Sequence, residues 1–391
     1  MGNKASKIKV NLTLGLALGY LMLLAVLVAS GSWWVPDSSP NTNRILLSLG
    51  ILPPMEKATL LKLKKDQKQK EDGWCFLCSH FNDYEYLPIS SYRFDDTLLY
   101  FRPYSSEADI ELPEQNLSLQ KVYFNLGGLN KEAHWMNGKF YHYTSDGLAA
   151  DVKVAELQEL IVASNIVEQR FVLGTDHFGR DVLSRLVMGG RNTLLVGLIA
   201  VSISLIIGLF LGSLGGYYGG WIDRIVMWLV NVVWSLPTLL LVLAISVVLG
   251  KGFWQVFVAV GLTMWVEICR VVRGQVKSIK EEEFVEAAKG LAFRDDRIIL
   301  RHVLPQVYGV LVVLAASNFA TAVLLESGLS FLGLGVSPPA PSWGLMLNEY
   351  KSFLLPESIH LILFPGLLIS ITVWSFYIIG NALRDYLDVK A

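Results

Sequence analysis

Two cysteines and a histidine lie close together in the N-terminal half, at Cys75, Cys78 and His80, and such side chains can bind a metal or carry out thiol chemistry. A structural zinc site needs about four ligands, and this cluster offers fewer. A thioredoxin-like motif requires a strand before it and a helix after it, and the sequence predicts neither here. A local disulfide in an oxidising exterior, or two unreactive thiols, is the preferred interpretation. We therefore expect no catalytic, cofactor-binding or metal site in this chain.

The glycine-rich stretch Gly212–Gly220 is a second candidate for chemistry, because glycine-rich loops bind phosphates. No lysine follows it, and the sequence contains neither GxxxxGKS nor GxxxxGKT, so nothing predicts a nucleotide site. We interpret the stretch as a tight cytoplasmic turn between two membrane spans. The stretch therefore gives no indication of an enzyme, and we do not expect this chain to be one.

The composition indicates a membrane protein with one inserted polar domain. The chain has 391 residues, of which 53% are hydrophobic, and its mean hydropathy is +0.45. This is too apolar for a soluble protein, although a long polar interval is present. The net charge of -1 gives no indication of a nucleic-acid partner.

Uncharged runs predict six helices that span a lipid bilayer. They are Leu12–Ser30, Thr193–Leu214, Ile225–Leu249, Phe253–Val266, Gln306–Leu325 and Leu361–Leu383. Lys4, Lys7 and Lys9 precede the first run, which is too long for a cleaved signal and is expected to remain as an anchor. The positive-inside rule then places both termini and the charged loop before Gln306 in the cytosol.

Residues 36–170 are expected to form a separate β-rich domain outside the cytosol. Predicted strands mix aromatic and branched residues with polar ones, at Tyr84–Ile89, Tyr92–Phe101, Leu117–Leu126 and Gly138–Thr144. Val154–Ile166 is predicted as a helix that leads back to the membrane. The lysine-rich segment Lys57–Asp72 is interpreted as a solvated helix or a linker.

The charged interval Glu267–Gln306 is flanked by apolar runs and is rich in lysine and arginine, as cytoplasmic loops are. Within it, Phe284, Ala287, Ala288 and Leu291 recur at helical spacing and predict a short amphipathic helix. Acidic residues surround its first turn, where they favour the positive end of the helix dipole. Both a docking surface and a membrane-surface helix fit this pattern.

Glu286-Ala287-Ala288, followed by Ile298, His302 and Leu304-Pro305, resembles the EAA loop of ABC importer permeases, which couples the membrane subunit to its ATPase. The resemblance implies a coupling loop within residues 270–305. Its candidate residues are Phe284, Glu286, Ala287, Ala288, Leu291, Ala292, His302 and Pro305. Ala292 occupies the position of the loop's usual glycine, and a positive φ there would cost alanine roughly 1 kcal/mol.

Two further segments are similar to signatures of dipeptide, oligopeptide and nickel permeases. The first contains Thr175, Asp176, Gly179, Arg180, Asp181, Ser184 and Arg185. Asp181 is expected to cap a short helix that rests on the membrane core. Arg180, Arg185 and Arg191 are expected to anchor the interface rather than contact substrate.

The second segment follows the fifth predicted span and contains Gly333, Gly335, Trp343 and Gly344. Its prolines and glycines predict a rigid loop, with Trp343 suited to the membrane interface. This loop is expected to cap the helix bundle or to gate its outer mouth, and the cap is the preferred interpretation.

Polar residues within the apolar runs face the bundle interior or an aqueous path, because burying them in lipid is costly. Asn231, Asn318 and Glu326 are the candidate path-lining residues, and pairing within the bundle is an equal alternative for Glu326. Pro237 is expected to kink the third span.

Taken with the resemblance, the sequence predicts an all-α polytopic membrane protein with the fold of a type I ABC importer permease. Residues 1–35 would form the cytosolic tail and first span, residues 36–170 the inserted domain, and residues 171–391 a five-helix core. The resemblance implies a permease for peptides or a related solute such as a nickel chelate in the bacterial inner membrane. It also implies three kinds of partner: a second homologous permease, two ATPase subunits and an extracytoplasmic solute-binding protein. ATP and Mg²⁺ would bind to the ATPase subunits, which are separate polypeptides, and not to this chain.

Two other classes of function are compatible with a membrane protein of this kind. A secondary transporter driven by an ion gradient would show acidic residues in mid-span and repeated halves, and neither is evident. A membrane-anchored sensor or enzyme would use residues 36–170, where no nucleophile-base pair or complete metal set is apparent.

Overall fold

The computed structural model describes residues 12–37, 39–64, 84–105, 112–124, 134–136, 139–143, 149–250, 253–352 and 358–388. The helices in those ranges are α1 (Leu12–Trp34), α2 (Leu119–Phe124), α3 (Val154–Ser164), α4 (Val182–Tyr218), α5 (Gly220–Trp234), α6 (Thr238–Leu249), α7 (Phe253–Ile279), α8 (Glu283–Gly290), α9 (Asp295–Ile298), α10 (Leu304–Phe331), α11 (Trp343–Tyr350) and α12 (Ile359–Asp388).

The strands are β1 (Glu56–Lys64), β2 (Tyr84–Asp95), β3 (Leu98–Pro103), β4 (Gln115–Ser118), β5 (His134–Met136), β6 (Lys139–Tyr143), β7 (Ala149–Lys153) and β8 (Ile166–Phe171). The chain divides into two compact units. A helical unit contains Met1–Ala29, Met188–Ser352 and Ile362–Ala391, and a mixed unit contains Ser30–Val187 and Phe353–Leu361.

The mixed unit is built on an antiparallel sheet with strand order β4-β3-β2-β1-β8. Leu61 and Leu99 on one face of the sheet pack with Val122 of α2 and Leu157 and Ile161 of α3. A second cluster contains Ala58, Leu60 and Phe171 from the strands, together with Leu46, Leu49 and Leu52. Hydrophobic side chains therefore pack against β1 in two separate clusters.

Three expectations for this unit are wrong in detail. The segment predicted as a solvated helix or linker, Lys57–Asp72, begins with strand β1, because its leucines are buried between the lysines. The strand predicted at Leu117–Leu126 is instead the short β4 followed by α2. The strands predicted at Tyr84–Ile89 and Tyr92–Phe101 are divided elsewhere: β2 is continuous through a register shift between Ile89 and Ser91, and the turn lies after Asp95.

A second, three-stranded sheet has the order β5-β6-β7. Strand β6 confirms the strand predicted at Gly138–Thr144, with its ends at Lys139 and Tyr143. Helix α3 confirms the helix predicted from Val154, and it buries Leu157 and Ile161 while Leu160 is exposed.

The helical unit contains the long apolar helices. Among the residues that the structure describes, five helices are long and apolar enough to cross a membrane, and the number is six if α5 and α6 together form one span. Those two helices meet at an angle of 93° across Ser235–Pro237. The expected kink at Pro237 is therefore a sharp break, because proline cannot donate a backbone hydrogen bond and its ring clashes with the preceding turn.

Helices α4 and α7 pack through a seam of glycines at four-residue spacing. A Cβ atom added to Gly208, Gly212 or Gly216 would lie 2.9, 2.7 and 2.7 Å from the backbone oxygens of Trp265, Cys269 and Arg273, respectively. Small residues let helix backbones approach each other closely in this way. The turn expected at Gly212–Gly220 is therefore wrong over most of its length: the chain stays helical to Tyr218, and only Gly219 and Gly220 adopt a positive φ.

Asp181 begins helix α4 as its N-cap, as expected, although the helix is a long one rather than the short one predicted. Its Oδ2 accepts a hydrogen bond of 2.8 Å from the backbone N–H of Ser184, which satisfies one of the free donors of the first turn. Burial is the main cause that raises the pKa of the Asp181 carboxyl to about 6, because desolvation disfavours the charged form.

Replacing Gly212 with alanine should lower the thermal unfolding midpoint of the detergent-purified chain. The added methyl group would press on the backbone of α7, and overpacking of this kind costs roughly 1–3 kcal/mol. Gly274→Ala is the matched control, because a Cβ there has no heavy atom within 4 Å and alanine favours a helix by up to about 1 kcal/mol. Equal midpoints for the two variants would contradict the packing of the seam.

The raised pKa of Asp181 also predicts a pH dependence of stability. The unfolded carboxyl ionises near pH 4 and the folded one near pH 6, so the unfolded state loses its proton first and stability falls as the pH rises through this window. The loss is roughly 3 kcal/mol at most. Asp181→Asn should lack this loss, and the wild-type midpoint minus the variant midpoint should decline from pH 4 to pH 6 and then stay constant. A difference that does not change with pH would refute the assignment.

Candidate functional site

The predicted coupling loop is a compact helix–turn–helix between α7 and α10. Its inner side packs into a core that contains Val276, Val285, Ala288, Ile298 and Val303. Between α9 and α10 the chain makes one π-helical turn at Ile299–Val303. Short helices held by a shared core keep their outer side chains in fixed positions.

The outer face of α8 and its C-cap is an exposed apolar patch, which we call the loop patch and define as Phe284, Ala287 and Leu291. The exposed fractions are 43% for Phe284 and 69% for Leu291. Glu286 is exposed beside it. Ala288 was expected on the same face as Phe284, Ala287 and Leu291, and this is wrong: it points inward with Val285, which the shared helical spacing of the four residues did not reveal.

Ala292 adopts the left-handed conformation that the family's glycine implied, with φ at 55°. The backbone N–H of Ala292 donates to the carbonyl of Lys289 at 2.9 Å, and that of Phe293 donates to the carbonyl of Ala288 at 3.2 Å. This pair of bonds is a Schellman motif, which ends α8 and turns the chain toward α9. His302 stacks on Phe293 with ring centroids 6.2 Å apart, and Pro305 opens α10 and is exposed.

Tyr217, at the end of α4, connects the coupling loop to the long helices. Its buried ring packs in the same hydrophobic core as Val285 and Ile298, which we call the loop core. Its hydroxyl donates a hydrogen bond of 2.7 Å to the Asp295 carboxylate at the start of α9. The ammonium groups of Lys280 and Lys289 lie 5.5 and 5.8 Å from the centre of the ring, within the range of a cation–π interaction. Sequence reasoning did not find Tyr217, because nothing local distinguishes it from its neighbour Tyr218.

A second connection joins α5 to α7. The Arg273 guanidinium binds the Asp223 carboxylate with two hydrogen bonds, of which the Nη2–Oδ2 bond is 2.6 Å long. Bidentate pairs of this kind fix the geometry of both side chains. The sequence signal was one acid and one base, each at the charged end of an apolar helix.

The first signature segment folds into the interior of the mixed unit. Asp176 accepts hydrogen bonds from the backbone N–H groups of Phe178 and Arg180. Its carboxylate also forms an ion pair with Arg180 Nε at 2.7 Å, and Arg185 Nε lies 3.9 Å from the same carboxylate. Arg180 and Arg185 are buried, so the expectation that they anchor the membrane interface is wrong. Buried charges are held by pairing, and the carboxylate of Asp176 supplies it.

The remaining residues of that segment hold its turn in place. Thr175 is buried and donates its hydroxyl to the Leu49 carbonyl, and Gly179 has a φ of 71°, with its Cα beside the Leu46 backbone. Ser184 accepts a hydrogen bond of 3.0 Å from the Asp37 backbone N–H. These contacts stabilise the mixed unit.

The second signature segment is organised around Glu326, which is fully buried in α10. Ser330 donates to its carboxylate at 2.7 Å, and Ser342 and Thr193 also hydrogen-bond to it. Ser342 caps α11 through the Leu345 backbone N–H at 3.1 Å. The carboxylate therefore ties the segment after α10 to both α4 and α11.

Close packing completes this segment. Gly335 lies against Ser330, Gly344 lies against the Ser327 backbone, and Gly333 has a φ of 79°. Trp343 is fully buried beside Gly189 and Gly190, so the expectation that its ring lies at the membrane interface is wrong. The hydrogen bonds and packing hold the segment against α4 and α10.

The candidate path residues are not brought together. Asn231 is exposed on α5, whereas Asn318 and Glu326 are buried in α10. Asn318 Nδ2 has no hydrogen-bond partner among the described residues. The cluster of Cys75, Cys78 and His80 lies outside the described residues.

The comparisons with known proteins agree with the sequence signatures. Residues 204–391 match the family model for the binding-protein-dependent transport system inner membrane component. Over 218 residues the chain is 39% identical to the glutathione transport system permease protein GsiD of Pectobacterium atrosepticum, which covers 56% of this chain and 72% of the relative. Over 217 residues it is 41% identical to the dipeptide transport system permease protein DppC of Alkalihalophilus pseudofirmus, which covers 56% of this chain and 71% of the relative.

A solved structure of the MetNI methionine ABC transporter in an inward-facing conformation also aligns with the chain. The TM-score is 0.44 at 21% sequence identity, and the alignment covers 52% of this chain and 97% of that chain. The extent and identity of the matches to GsiD and DppC define the relationship: the chain belongs to the family of binding-protein-dependent transport system inner membrane components, the permeases of ABC importers.

Proposed function

We propose that this chain is a membrane-spanning permease subunit that imports peptides, or a related small solute such as a nickel chelate, across the bacterial inner membrane. The proposal gives it a second homologous permease, two ATPase subunits and an extracytoplasmic binding protein as partners. It rests on one observation about the coupling loop. Its outer side exposes the loop patch, while its inner side packs against the ends of the long helices and is hydrogen-bonded to Tyr217.

The loop patch suits a protein partner better than lipid. Phe284 and Leu291 project beside Glu286 and the acidic first turn of α8. The carboxylates of Glu283 and Glu286 form an acidic rim at one end of the patch, and Lys289 lies at the other end. The acidic rim disfavours the negatively charged surface of the inner leaflet. An apolar surface with charges of both signs at its edge fits a protein groove, and the proposed occupant is the ATPase subunit.

The mechanism follows from the two connections of the loop. When the ATPases close on ATP, α8 moves with them, and the Tyr217–Asp295 hydrogen bond transfers the movement to α4. The Arg273–Asp223 pair transfers it to α5. The helices on either side then tilt to expose the path to one side of the membrane and then to the other, as packed elements do when they move as rigid bodies.

The proposal places both chain termini and the coupling loop in the cytosol, because the lysine and arginine residues between apolar runs are concentrated there. By the same rule, residues 36–170 are proposed to lie outside the cytosol. The β-sheet of the mixed unit presents a polar face at Arg93, whose guanidinium pairs with Glu114 at 2.8 Å. We assign this unit to contact with the binding protein or to stabilisation of the outer face.

Reversing the charge and increasing the bulk of the loop patch should separate the permease from its ATPases. In the double variant Glu286→Lys/Ala287→Trp, a cation replaces the acidic rim and an indole fills the space beside Phe284, so the ATPase subunits should no longer co-purify with the permease. Asp385→Lys, at an exposed position of α12, makes the same charge reversal away from the loop and should leave co-purification unchanged. Full co-purification of the double variant, inserted at the wild-type level, would refute the coupling role.

Removing the Tyr217 hydroxyl, which connects α4 to the coupling loop, should uncouple ATP hydrolysis from transport. Tyr217→Phe keeps the ring in the loop core and loses the bond to Asp295, which is worth about 1 kcal/mol and thus roughly a five-fold change. We expect uptake into proteoliposomes to fall about five-fold while ATPase subunits still bind and hydrolyse ATP. Tyr218→Phe, which removes the neighbouring hydroxyl, is the matched control. Equal uptake by the two variants would contradict the role of Tyr217.

A further inference from the structure

Helices α5 and α7 enclose an open cavity of about 630 Å³ within the helical unit. It is lined by Met227, Trp234, Glu267, Arg270, Val271 and Arg273. This volume lies in the range of sites that bind small molecules. The wall therefore combines apolar side chains with one carboxylate and two guanidinium groups.

Two of these charged groups are available to a ligand. Arg273 is already bound to Asp223. Glu267 and Arg270 are exposed to the cavity, and neither forms an ion pair or hydrogen bond with any residue that the structure describes. Both residues belong to the charged interval Glu267–Gln306, so the proposed topology places their side chains at the cytosolic end of α7.

The geometry places Glu267 and Arg270 side by side on one face of α7. Residues three apart in a helix share a face, with Cβ atoms about 5–6 Å apart. The guanidinium carbon of Arg270 lies 3.9 Å from the centre of the Trp234 ring. Stacking on this ring uses the face of the guanidinium and leaves its N–H edge free for a carboxylate.

This arrangement is complementary to a small zwitterion. The Glu267 carboxylate accepts an ammonium group, the Arg270 edge donates to a carboxylate, and the two recognise both ends of a short peptide with free termini. Met227, Trp234 and Val271 supply an apolar wall, and methionine adapts to side chains of different shape. Recognition of the ends alone would let one site accept many sequences.

We propose that the Glu267–Arg270 cavity binds the free amino and carboxyl termini of short peptides during their passage through the permease. This proposal rests on the proposed function, because it requires that peptides cross the membrane through this chain. The site is a transient contact, since a carrier must release its cargo.

The test measures uptake into proteoliposomes by the complete transporter with its binding protein, for Glu267→Gln and Arg270→Gln. The probes are a dipeptide, its N-acetylated form and its C-terminally amidated form, each at a concentration that saturates uptake by the wild type. The binding protein is the same in every assay, so its own selectivity cancels when each variant is compared with the wild type.

Loss of one charge should remove the preference for one terminus only. Arg270→Gln should lower uptake of the free dipeptide about ten-fold, because a charge-assisted hydrogen bond is lost, and should leave uptake of the amidated peptide near the wild-type level. Glu267→Gln should likewise lower uptake of the free dipeptide about ten-fold, and it should leave uptake of the acetylated peptide near the wild-type level. Asp385→Asn and Arg384→Gln, an adjacent acid and base of α12, should change no ratio.

Three results would overturn the proposal. An equal loss for all three probes would assign the two residues a structural role. Wild-type uptake that needs phosphatidylethanolamine in the vesicles, together with loss of that lipid from purified Arg270→Gln, would assign the cavity to a lipid headgroup. Unchanged ratios would show that the cavity does not contact the peptide.

In contrast, wild-type vesicles that take up no peptide would reject the proposed function itself. If Arg270→Gln does not insert, Arg270→Lys, which keeps the charge and loses the planar edge, should show an intermediate ratio.

Discussion

The close approach of α4 and α7 is the constraint on which the rest of the helical unit depends. Three glycines of α4 lie against three backbone oxygens of α7 at matching four-residue intervals. Lipid provides no hydrophobic force between helices, so shape and close packing must hold the pair together. The seam ends next to Tyr217, and the register between Gly216 and Arg273 brings the Tyr217 hydroxyl to Asp295. A shift of either helix by one residue would separate these groups, so helix packing determines the position of the coupling loop.

Local sequence was sufficient to predict the features that depend on local chemistry. The spacing of Phe284 and Leu291 predicted α8, and the glycine that Ala292 replaces in the family predicted a turn with positive φ, which the structure has. Asp181 was predicted as a helix cap on its residue type alone. In each case the stabilising partner is a backbone group within a few positions in the chain.

Predictions failed where the partner is remote in sequence. Gly212 and Gly216 were interpreted as a turn, since nothing near them reveals that α7 lies against them. Trp343 was assigned to the interface because its ring is amphipathic, whereas the structure buries it beside Gly189 and Gly190. Lys57 and Lys62 concealed strand β1, because their charge obscured the buried leucines between them. The charged lysine heads reach solvent while the backbone stays in the sheet.

The buried polar residues of the two signature segments share one physical logic. Glu326 and Asp176 are each completely removed from solvent, and each is surrounded by donors. Glu326 receives hydrogen bonds from Thr193 and Ser342, which are in other segments, whereas Arg180 and Arg185 lie within nine residues of Asp176. An unpaired carboxylate in such a position would be strongly destabilising, so the donors and the acid must be present together. This requirement makes both segments specific in composition without giving either one a ligand to bind.

Helix α7 connects the parts to which function is assigned. The backbone oxygens of Cys269 and Arg273 contact the glycines of α4, the Arg273 side chain holds α5, and the last turn leads into the coupling loop. Glu267 and Arg270 line the cavity from the same helix. Under the proposed function, a movement of the loop rotates α7 as one rigid rod, because a helix resists bending between its ends. The same rotation that follows ATP binding then turns Glu267 and Arg270 relative to Trp234, so peptide release and loop movement become one event.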